Sequence, residues 1–302
     1  MVPALAKVIY VSGSGRSGST MLERILHSAP GVCALGELHC LWRLDHAAIT
    51  CSCGSPFAAD GHWQRVLDAA GFGEHTLAEL RALEGRVCRS GYIARRGFSL
   101  DALRADPAVR RFLDLQFRLF EAVSDMSGAS VLVDSSKAGP RAWLLACDER
   151  VAVAHLHRDP GDVIASWRSV KFDPGLGRPM QRMPIGAAAL DWLKADRLAA
   201  ALARRRPVAR IDYHRLCADP RGEIAALYAA LGLSGLSEPQ WINGATVREG
   251  AGYHSLNGNP DRFARGPLRI AARAADWSGL PTGERNLIRG VAALVRAGAG
   301  RA

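Results

Sequence analysis

The chain has 302 residues, of which 48% are hydrophobic and 23% charged, and a formal net charge of +10. That length supplies core for one large α/β domain, and no run approaches the roughly 18 consecutive apolar residues of a spanning helix, so the expectation is a soluble, cytoplasmic protein without stable membrane insertion. The positive balance suits an anionic ligand or a nucleic acid, but arginine far outnumbers lysine in an Ala- and Gly-rich chain, which makes charge alone a weak argument.

The first element is an apolar β-run, Val8-Ile9-Tyr10-Val11, entered directly after Lys7 with no room for a signal-peptide core. It feeds a loop of small residues, Ser12-Gly13-Ser14-Gly15-Arg16-Ser17-Gly18-Ser19-Thr20. Met21, Leu22, Ile25, Leu26 and Ala29 then recur at helical spacing until Pro30-Gly31. A short extended piece, 31–39, passes back near the loop. Residues 50–105 carry short helical patterns broken by glycines, and about 40–105 reads as a helical insertion lying over the sheet within a single domain, 1–302. Asp106-Pro107 is an N-cap and first-turn pair, and the helix behind it carries Phe112, Leu115, Leu119, Val123 and Met126 on one face.

Strands and helices then alternate. Residues 130–133 are β-like and end in Asp134-Ser135-Ser136-Lys137, 141–147 is helical, and 151–157 is a second apolar run. Asp159-Pro160 opens a helix with Val163, Ile164 and Trp167 packed inward. Residues 171–184 hold five Gly or Pro breakers and read as a mobile surface loop. A long helix over 185–206, a strand over 207–213 and a helix from Asp219-Pro220 to Leu231 follow. The tail is glycine-rich from Trp241 to Leu268 and closes with a helix over 284–297. This alternation predicts a three-layer α/β fold, a central parallel sheet with helices on both faces, and ligands at the carboxyl ends of its strands.

A strand feeding a glycine-rich turn and a helix start holds phosphate-like anions, because the glycines let backbone N–H groups turn inward and the helix start adds free donors. The spacing Gly13-x4-Gly18-Ser19-Thr20 matches the nucleotide phosphate loop except that Ser19 stands where its lysine belongs. The loop's cation is Arg16 instead, so an anion is expected here, but not a magnesium-bound triphosphate. Cys51-Ser52-Cys53-Gly54, with Cys33, His39, Cys40, His46 and His62 nearby, offers metal ligands, yet the spacing is none of the recognised zinc patterns. The seven cysteines, an odd number, also do not suggest a disulfide framework. The expectation is no metal.

Taken together, Gly15-Arg16-Ser17-Gly18-Ser19-Thr20 after the first strand and Leu156-His157-Arg158-Asp159-Pro160-Gly161-Asp162-Val163-Ile164-Ala165-Ser166 later resemble the sulfotransferase family. Its members use 3′-phosphoadenosine 5′-phosphosulfate (PAPS), which leaves as adenosine 3′,5′-bisphosphate, on a P-loop-like fold. The resemblance implies that residues 15–20 form the 5′-phosphosulfate loop. It likewise implies that Arg158 and Ser166, eight residues later, hold the 3′-phosphate. Arginine in the loop is closer to the carbohydrate and protein-tyrosine branches than to the small-phenol branch, which has lysine. Ile211-Asp212-Tyr213 with Asp219-Pro220 resembles the family's Tyr-x-x-Leu…Asp-Pro stretch. His254-Ser255-Leu256-Asn257-Gly258-Asn259-Pro260-x-Arg262 with Trp277 resembles the segment that closes on the nucleotide. These matches add Tyr213, Ser255, Asn257, Gly258 and Asn259 to the implied donor site, alongside Gly15, Arg16, Ser17, Gly18, Ser19 and Thr20. The implied acceptor is a hydroxyl, less an amine, of a small molecule, glycan or lipid; no nucleic-acid partner is implied.

The chemistry agrees with this. PAPS carries anions at two ends, and Arg16 and Arg158 each offer charge-assisted, partly bidentate hydrogen bonds to one of them. Ser166 falls on a polar face with Asp162 and Ser169, and a singly charged sulfate ester needs no metal to neutralise it. Arg16 and Lys137 can share the charge growing on the bridging oxygen as the 5′-phosphate leaves. By resemblance to the protein-tyrosine branch, Gly36-Glu37 makes Glu37 the base; His39 and His27 come next. The small-phenol branch's histidine does not carry over, because Asp134-Ser135-Ser136-Lys137 stands there. The sequence also admits two alternatives. One is a P-loop kinase using ATP-Mg, with Val131-Leu132-Val133-Asp134 as its metal-binding strand; the other is a non-catalytic RNA-binding module, which lacks any aromatic-basic interleaving. Arg204-Arg205-Arg206 reads as a solvated helix terminus. Acceptor choice is assigned to 40–105 and 171–184, and the oligomeric state is open.

Overall fold

The computed structural model describes residues 5, 7–46, 49–175, 177–272, 277 and 279–299. Residues 1–4 and 6 before the first strand, 47–48 in the insertion and Leu176 in the 171–184 loop lie outside it. The elements run β1 (Lys7–Ser12), α1 (Ser19–His27), β2 (Val32–Gly36), α2 (Cys40–Arg43), α3 (Gly61–Ala70), α4 (Glu74–Val87), α5 (Ser90–Ala94), α6 (Leu100–Ala105), α7 (Pro107–Ser127), β3 (Val131–Lys137), α8 (Gly139–Leu145), β4 (Val151–His157) and α9 (Pro160–Arg168). They continue as β5 (Phe172–Asp173), β6 (Arg178–Pro179), α10 (Ile185–Ala203), β7 (Val208–Asp212), α11 (Tyr213–Ala218), α12 (Pro220–Ala230), β8 (Trp241–Asn243), β9 (Thr246–Val247), β10 (Leu268–Arg269) and α13 (Thr282–Ala299).

The central sheet has five parallel strands in the order β2-β3-β1-β4-β7. Its inner strands are buried on both faces, which is why they read as unbroken apolar runs rather than as an alternation. Alternate residues still serve opposite cores. Val8 and Tyr10 of β1 join Trp42, Trp63, Leu80, Ile93, Phe112, Leu115, Leu119 and Trp143 on one side. Ile9 and Val11 join Leu22, Ile25, Leu26, Ile211 and Leu227 on the other. The helices of 40–105 thus share their core with α7, α8 and the sheet. A third cluster packs α9, α10 and α13 through Val163, Ile164, Trp192 and Ile288.

Three aspartates cap helices through their side chains, each with proline behind it: Asp106 accepts from Ala108 N, Asp159 from Gly161 N and Asp219 from Gly222 N, at 2.8–3.0 Å. The structure departs from the sequence reading in four places. The extended piece 31–39 contains a full edge strand, β2, paired to β3. Tyr213 does not end a strand but opens α11, because Asp212 caps it by accepting from His214 N and Arg215 N. The loop 171–184 is pinned: β5 pairs with β6, and buried Asp173 forms an ion pair with buried Arg262 at 3.3 Å. Finally, Arg206 is not a solvated end but donates to Val151 O at 2.6 Å and to the carbonyls of Ala146 and Asp148, closing α10 onto β4.

Candidate active site at the strand ends

Each strand of the sheet delivers residues from its carboxyl end to one open cleft of about 890 Å³. The loop 13–20 follows β1, Glu37 and His39 follow β2, Lys137 ends β3, Arg158 follows β4 and Tyr213 follows β7. Asn257, Gly258 and Asn259 of the tail, Ser166 and Trp167 of α9, and Asp191 of α10 close the remaining sides. Arg16, Arg24, Arg43, Lys137, Arg158, Lys171, Arg265 and Arg269 line the cleft against the carboxylates of Glu37, Asp191 and Asp261, which makes it an electropositive trap for anions.

The loop is built by backbone contour. Gly18 sits at φ 104° immediately before α1, and a Cβ there would fall 2.7 Å from the Tyr213 ring. A Cβ on Gly15 would strike Trp167 at 2.4 Å. Arg16 has φ 67°, a left-handed conformation that a non-glycine residue rarely adopts. Its guanidinium lies 4.9 Å from the centre of the Trp167 ring, and Nη2 donates to Met180 Sδ at 3.3 Å. Burial pulls the Arg16 pKa down, against the pull of Glu37 and Asp261. Its Nη1 is buried without a hydrogen-bond partner in the protein, as are Ser12 Oγ and Ser17 Oγ beside it. Arg158 reaches the same place: Nη1 donates to Arg16 O at 3.2 Å, and the guanidinium covers the Tyr213 ring at 4.2 Å.

On the opposite wall, Lys137 Nζ donates to Glu37 Oε1 at 2.5 Å and to Ser135 O at 2.9 Å. Glu37 Oε2 accepts from Asn257 Nδ2 at 3.3 Å. The carboxylate is therefore held between the end of β3 and the tail. Gly36, at φ 69°, lets the tail approach: Leu256 N donates to Leu35 O and Glu37 N to Leu256 O, and a Cβ on Gly36 would lie 2.3 Å from Ser255 Oγ.

Of the residues expected from sequence, Gly15, Arg16, Gly18, Ser19, Thr20, Glu37, Lys137, Arg158, Ser166, Tyr213, Asn257, Gly258 and Asn259 line the cleft. Ser17 and Ser255 do not; both are fully buried, and Ser255 Oγ donates to the buried Glu23 carboxylate at 2.9 Å. His27 is also elsewhere, buried against Tyr253 with Nδ1 accepting from Ala34 N at 3.2 Å. His39 does line the cleft, but burial and the cations Arg141, Arg43 and Lys137 push its pKa well below the usual imidazole range. Trp167, expected in the core, is only partly buried and faces Arg16. Asp191 gave no sequence signal, since one aspartate on a helix looks like a surface residue. It accepts from Gly15 N at 3.4 Å, and burial raises its pKa.

Asp134, the metal-binding aspartate of the kinase reading, does not line the cleft. It is fully buried, accepts from Ser136 N at 2.9 Å, and pairs with Arg141 at 3.4 Å inside a network with Glu84 and Gln116.

No curated protein matches the chain. Among solved structures, the sulfotransferase domain from the curacin biosynthetic pathway aligns at 15% identity over 95% of this chain and 98% of its own, with a TM-score of 0.48. The sulfotransferase STF9 from Mycobacterium avium aligns at 15% identity over 95% and 76%, with a TM-score of 0.45. The sulfotransferase domain from the Synechococcus PCC 7002 olefin synthase aligns at 20% identity over 77% and 76%, with a TM-score of 0.40. A model of the sulfotransferase family matches residues 9–238, which take in the loop, the central sheet from the middle of β1 onward and Arg158, and the chain belongs to that family.

Proposed function

We propose that the cleft binds PAPS and that the protein transfers its sulfuryl group to a hydroxyl of a partly apolar small molecule, glycan or lipid. The observation that carries this reading is the contact between Arg158 Nη1 and Arg16 O at 3.2 Å, because it brings two arginines from the ends of different strands to one cleft, as a donor with two anionic ends requires. Arg16 Nη1, buried without a protein partner, supports the fit of an anion in the loop. On this reading residues 15–20 receive the 5′-phosphosulfate, and Arg158 with Ser166 receives the 3′-phosphate.

Glu37 takes the proton from the acceptor hydroxyl while the acceptor oxygen bonds to sulfur. The bond from sulfur to the 5′-phosphate oxygen breaks, and adenosine 3′,5′-bisphosphate leaves with that electron pair. Lys137 holds Glu37 aimed through its hydrogen bond, and with Arg16 it meets the charge on the departing oxygen. The acceptor lies against Met180, Met183, Trp167 and Val170, which make one wall of the cleft apolar. Of residues 40–105, only Arg43 lines the cleft among the described residues, so acceptor choice rests more on the wall from 166 to 183 than on the insertion.

Calorimetric titration tests the donor. Adenosine 3′,5′-bisphosphate should bind, ATP-Mg should not compete, and Arg158→Ala should weaken the bisphosphate about 10- to 100-fold for the loss of a charge-assisted phosphate contact. Unchanged binding in Arg158→Ala, or tight binding of ATP-Mg, would remove the reading. A mass-spectrometric screen of hydroxyl acceptors with PAPS then identifies the acceptor.

A further inference from the structure

The turn at Cys51-Ser52-Cys53-Gly54 finds partners that its neighbours in the chain do not suggest. Gly54 N donates to Cys51 O at 2.9 Å, and Gly54 takes φ 95°, which tightens the turn. Cys51 Sγ lies 3.5 Å from His254 Nδ1, Cys53 Sγ 3.5 Å from Asp60 Oδ2, and Asp60 Oδ2 3.8 Å from His254 Nδ1. One ligand atom from each of the four residues lies within 4.8 Å of all the others. A tetrahedral centre with metal–sulfur bonds of about 2.3 Å and metal–nitrogen or metal–oxygen bonds of about 2.1 Å has edges of roughly 3.4–3.8 Å. The three distances between Cys51 and His254, Cys53 and Asp60, and Asp60 and His254 are of that size, and the remaining pairs lie within 4.8 Å.

We propose that Cys51, Cys53, Asp60 and His254 bind one structural zinc ion, which staples the tail to the insertion beside the cleft. Two thiolates with an imidazole and a carboxylate favour zinc over magnesium or calcium, which prefer all-oxygen shells. Four protein ligands close the coordination sphere, as a structural site requires. Outer contacts orient two of the ligands. Asp60 Oδ1 is occupied by His62 N at 2.9 Å, which leaves Oδ2 for the ion, and His254 is fixed through its carbonyl, which accepts from Trp63 Nε1 at 3.1 Å. Cys51 and Asp60 are buried while Cys53 is exposed, so the ion enters from the Cys53 side. Binding displaces the two thiol protons. The thiolates and the carboxylate together then exceed the ion's charge by one, and Arg265, which donates to Ser52 O, supplies a cation next to the turn.

The consequence reaches the cleft through a short path. Asn257, three residues after His254, donates to Glu37, and Leu256 is bonded to the end of β2. Zinc would fix the start of that segment.

The test is made on the full chain without donor or acceptor, so its outcome is separate from that of the sulfuryl-transfer reading. Protein dialysed against metal-free buffer should retain about one equivalent of zinc by mass spectrometry of the metal. Stripping with a chelator should lower the melting temperature, and Zn(II) alone should restore it. Co(II) added to the stripped chain should give a thiolate-to-metal charge-transfer band. Cys53→Ser, at the exposed corner, should lose the zinc and the band while keeping its far-ultraviolet circular dichroism. Wild-type protein that holds no zinc and whose melting temperature does not respond to Zn(II) would overturn the proposal, as would full zinc retention in Cys53→Ser.

Discussion

The loop 13–20 and the tail 253–263 meet on the same cleft but are held there by different means. The loop is fixed locally: β1 is buried on both faces, α1 begins at Ser19, and the backbone at Gly15 and Gly18 packs so closely on Trp167 and Tyr213 that no Cβ fits. The tail forms no long element. Side chains from distant parts of the chain hold it: Glu23 accepts from Tyr253 and Ser255, Ser52 Oγ donates to Tyr253 O, and Arg262 is locked to Asp173. One half of the site is specified by a contiguous motif, the other by tertiary contacts that each cost stability when cut. Damage to the loop should therefore appear in binding, and damage to the tail in folding first.

Glu37 lies on the seam between the two, held by Lys137 on one side and Asn257 on the other. Glu37→Gln keeps an oxygen for Lys137 but removes the proposed base. We expect kcat to fall about 10²- to 10⁴-fold, with donor affinity changed only a few-fold. Steady-state kinetics beside a bisphosphate titration separates the two; an unaltered kcat would move the base to another group, with His39 the next candidate in the cleft.

The next largest effect is predicted in the tail. Arg262→Met leaves Asp173 buried and unpaired, which should cost about 3–5 kcal/mol of stability, read as a lower denaturant midpoint. Arg262 also donates to Gly258 O at 2.9 Å, next to Glu37. Adding Asp173→Leu should recover much of the stability, because a buried pair replaced on both sides is close to neutral, but it should not recover KM for the donor. If stability and KM recovered together, the tail would have no positioning role beyond folding.

The same contrast explains what was legible in the sequence. The loop, Arg158 with Ser166, and the caps at Asp106, Asp159 and Asp219 are each encoded within a dozen residues, so spacing and side-chain chemistry suffice to find them. The Asp173–Arg262 pair and the approach of His254 to Cys51 join residues far apart in the chain, and no local pattern reports them. The breakers in 171–184 rule out a long helix or strand there; they say nothing about the short β5–β6 pairing or the buried ion pair that tie the segment down. Trp167 looks like core because it is apolar at helical spacing, and it does pack against the cluster of α9, α10 and α13, but its ring also faces the cleft and meets Arg16, which spacing alone does not report. Strand β2 was half visible: its small residues gave an extended piece but not the pairing to β3.

The smallest expected effect concerns pH and again separates the two regions. His27 packs under Tyr253 of the tail, where its Nδ1 accepts from Ala34 N and so must stay unprotonated. Burial is the main cause of its lowered pKa. In the unfolded chain the same imidazole titrates near its usual value of about 6.5. Below that pH the unfolded state binds a proton that the folded state refuses, so stability present at neutral pH is lost as pH falls from about 6.5 toward the folded value. The denaturant midpoint should therefore drop on acidification through this window. His27→Asn, which keeps an oxygen near the Nδ1 position, should lower the midpoint at neutral pH but flatten its slope with pH. A slope unchanged in this variant would assign the acid sensitivity to another buried group, with His39 of the cleft wall the next to test.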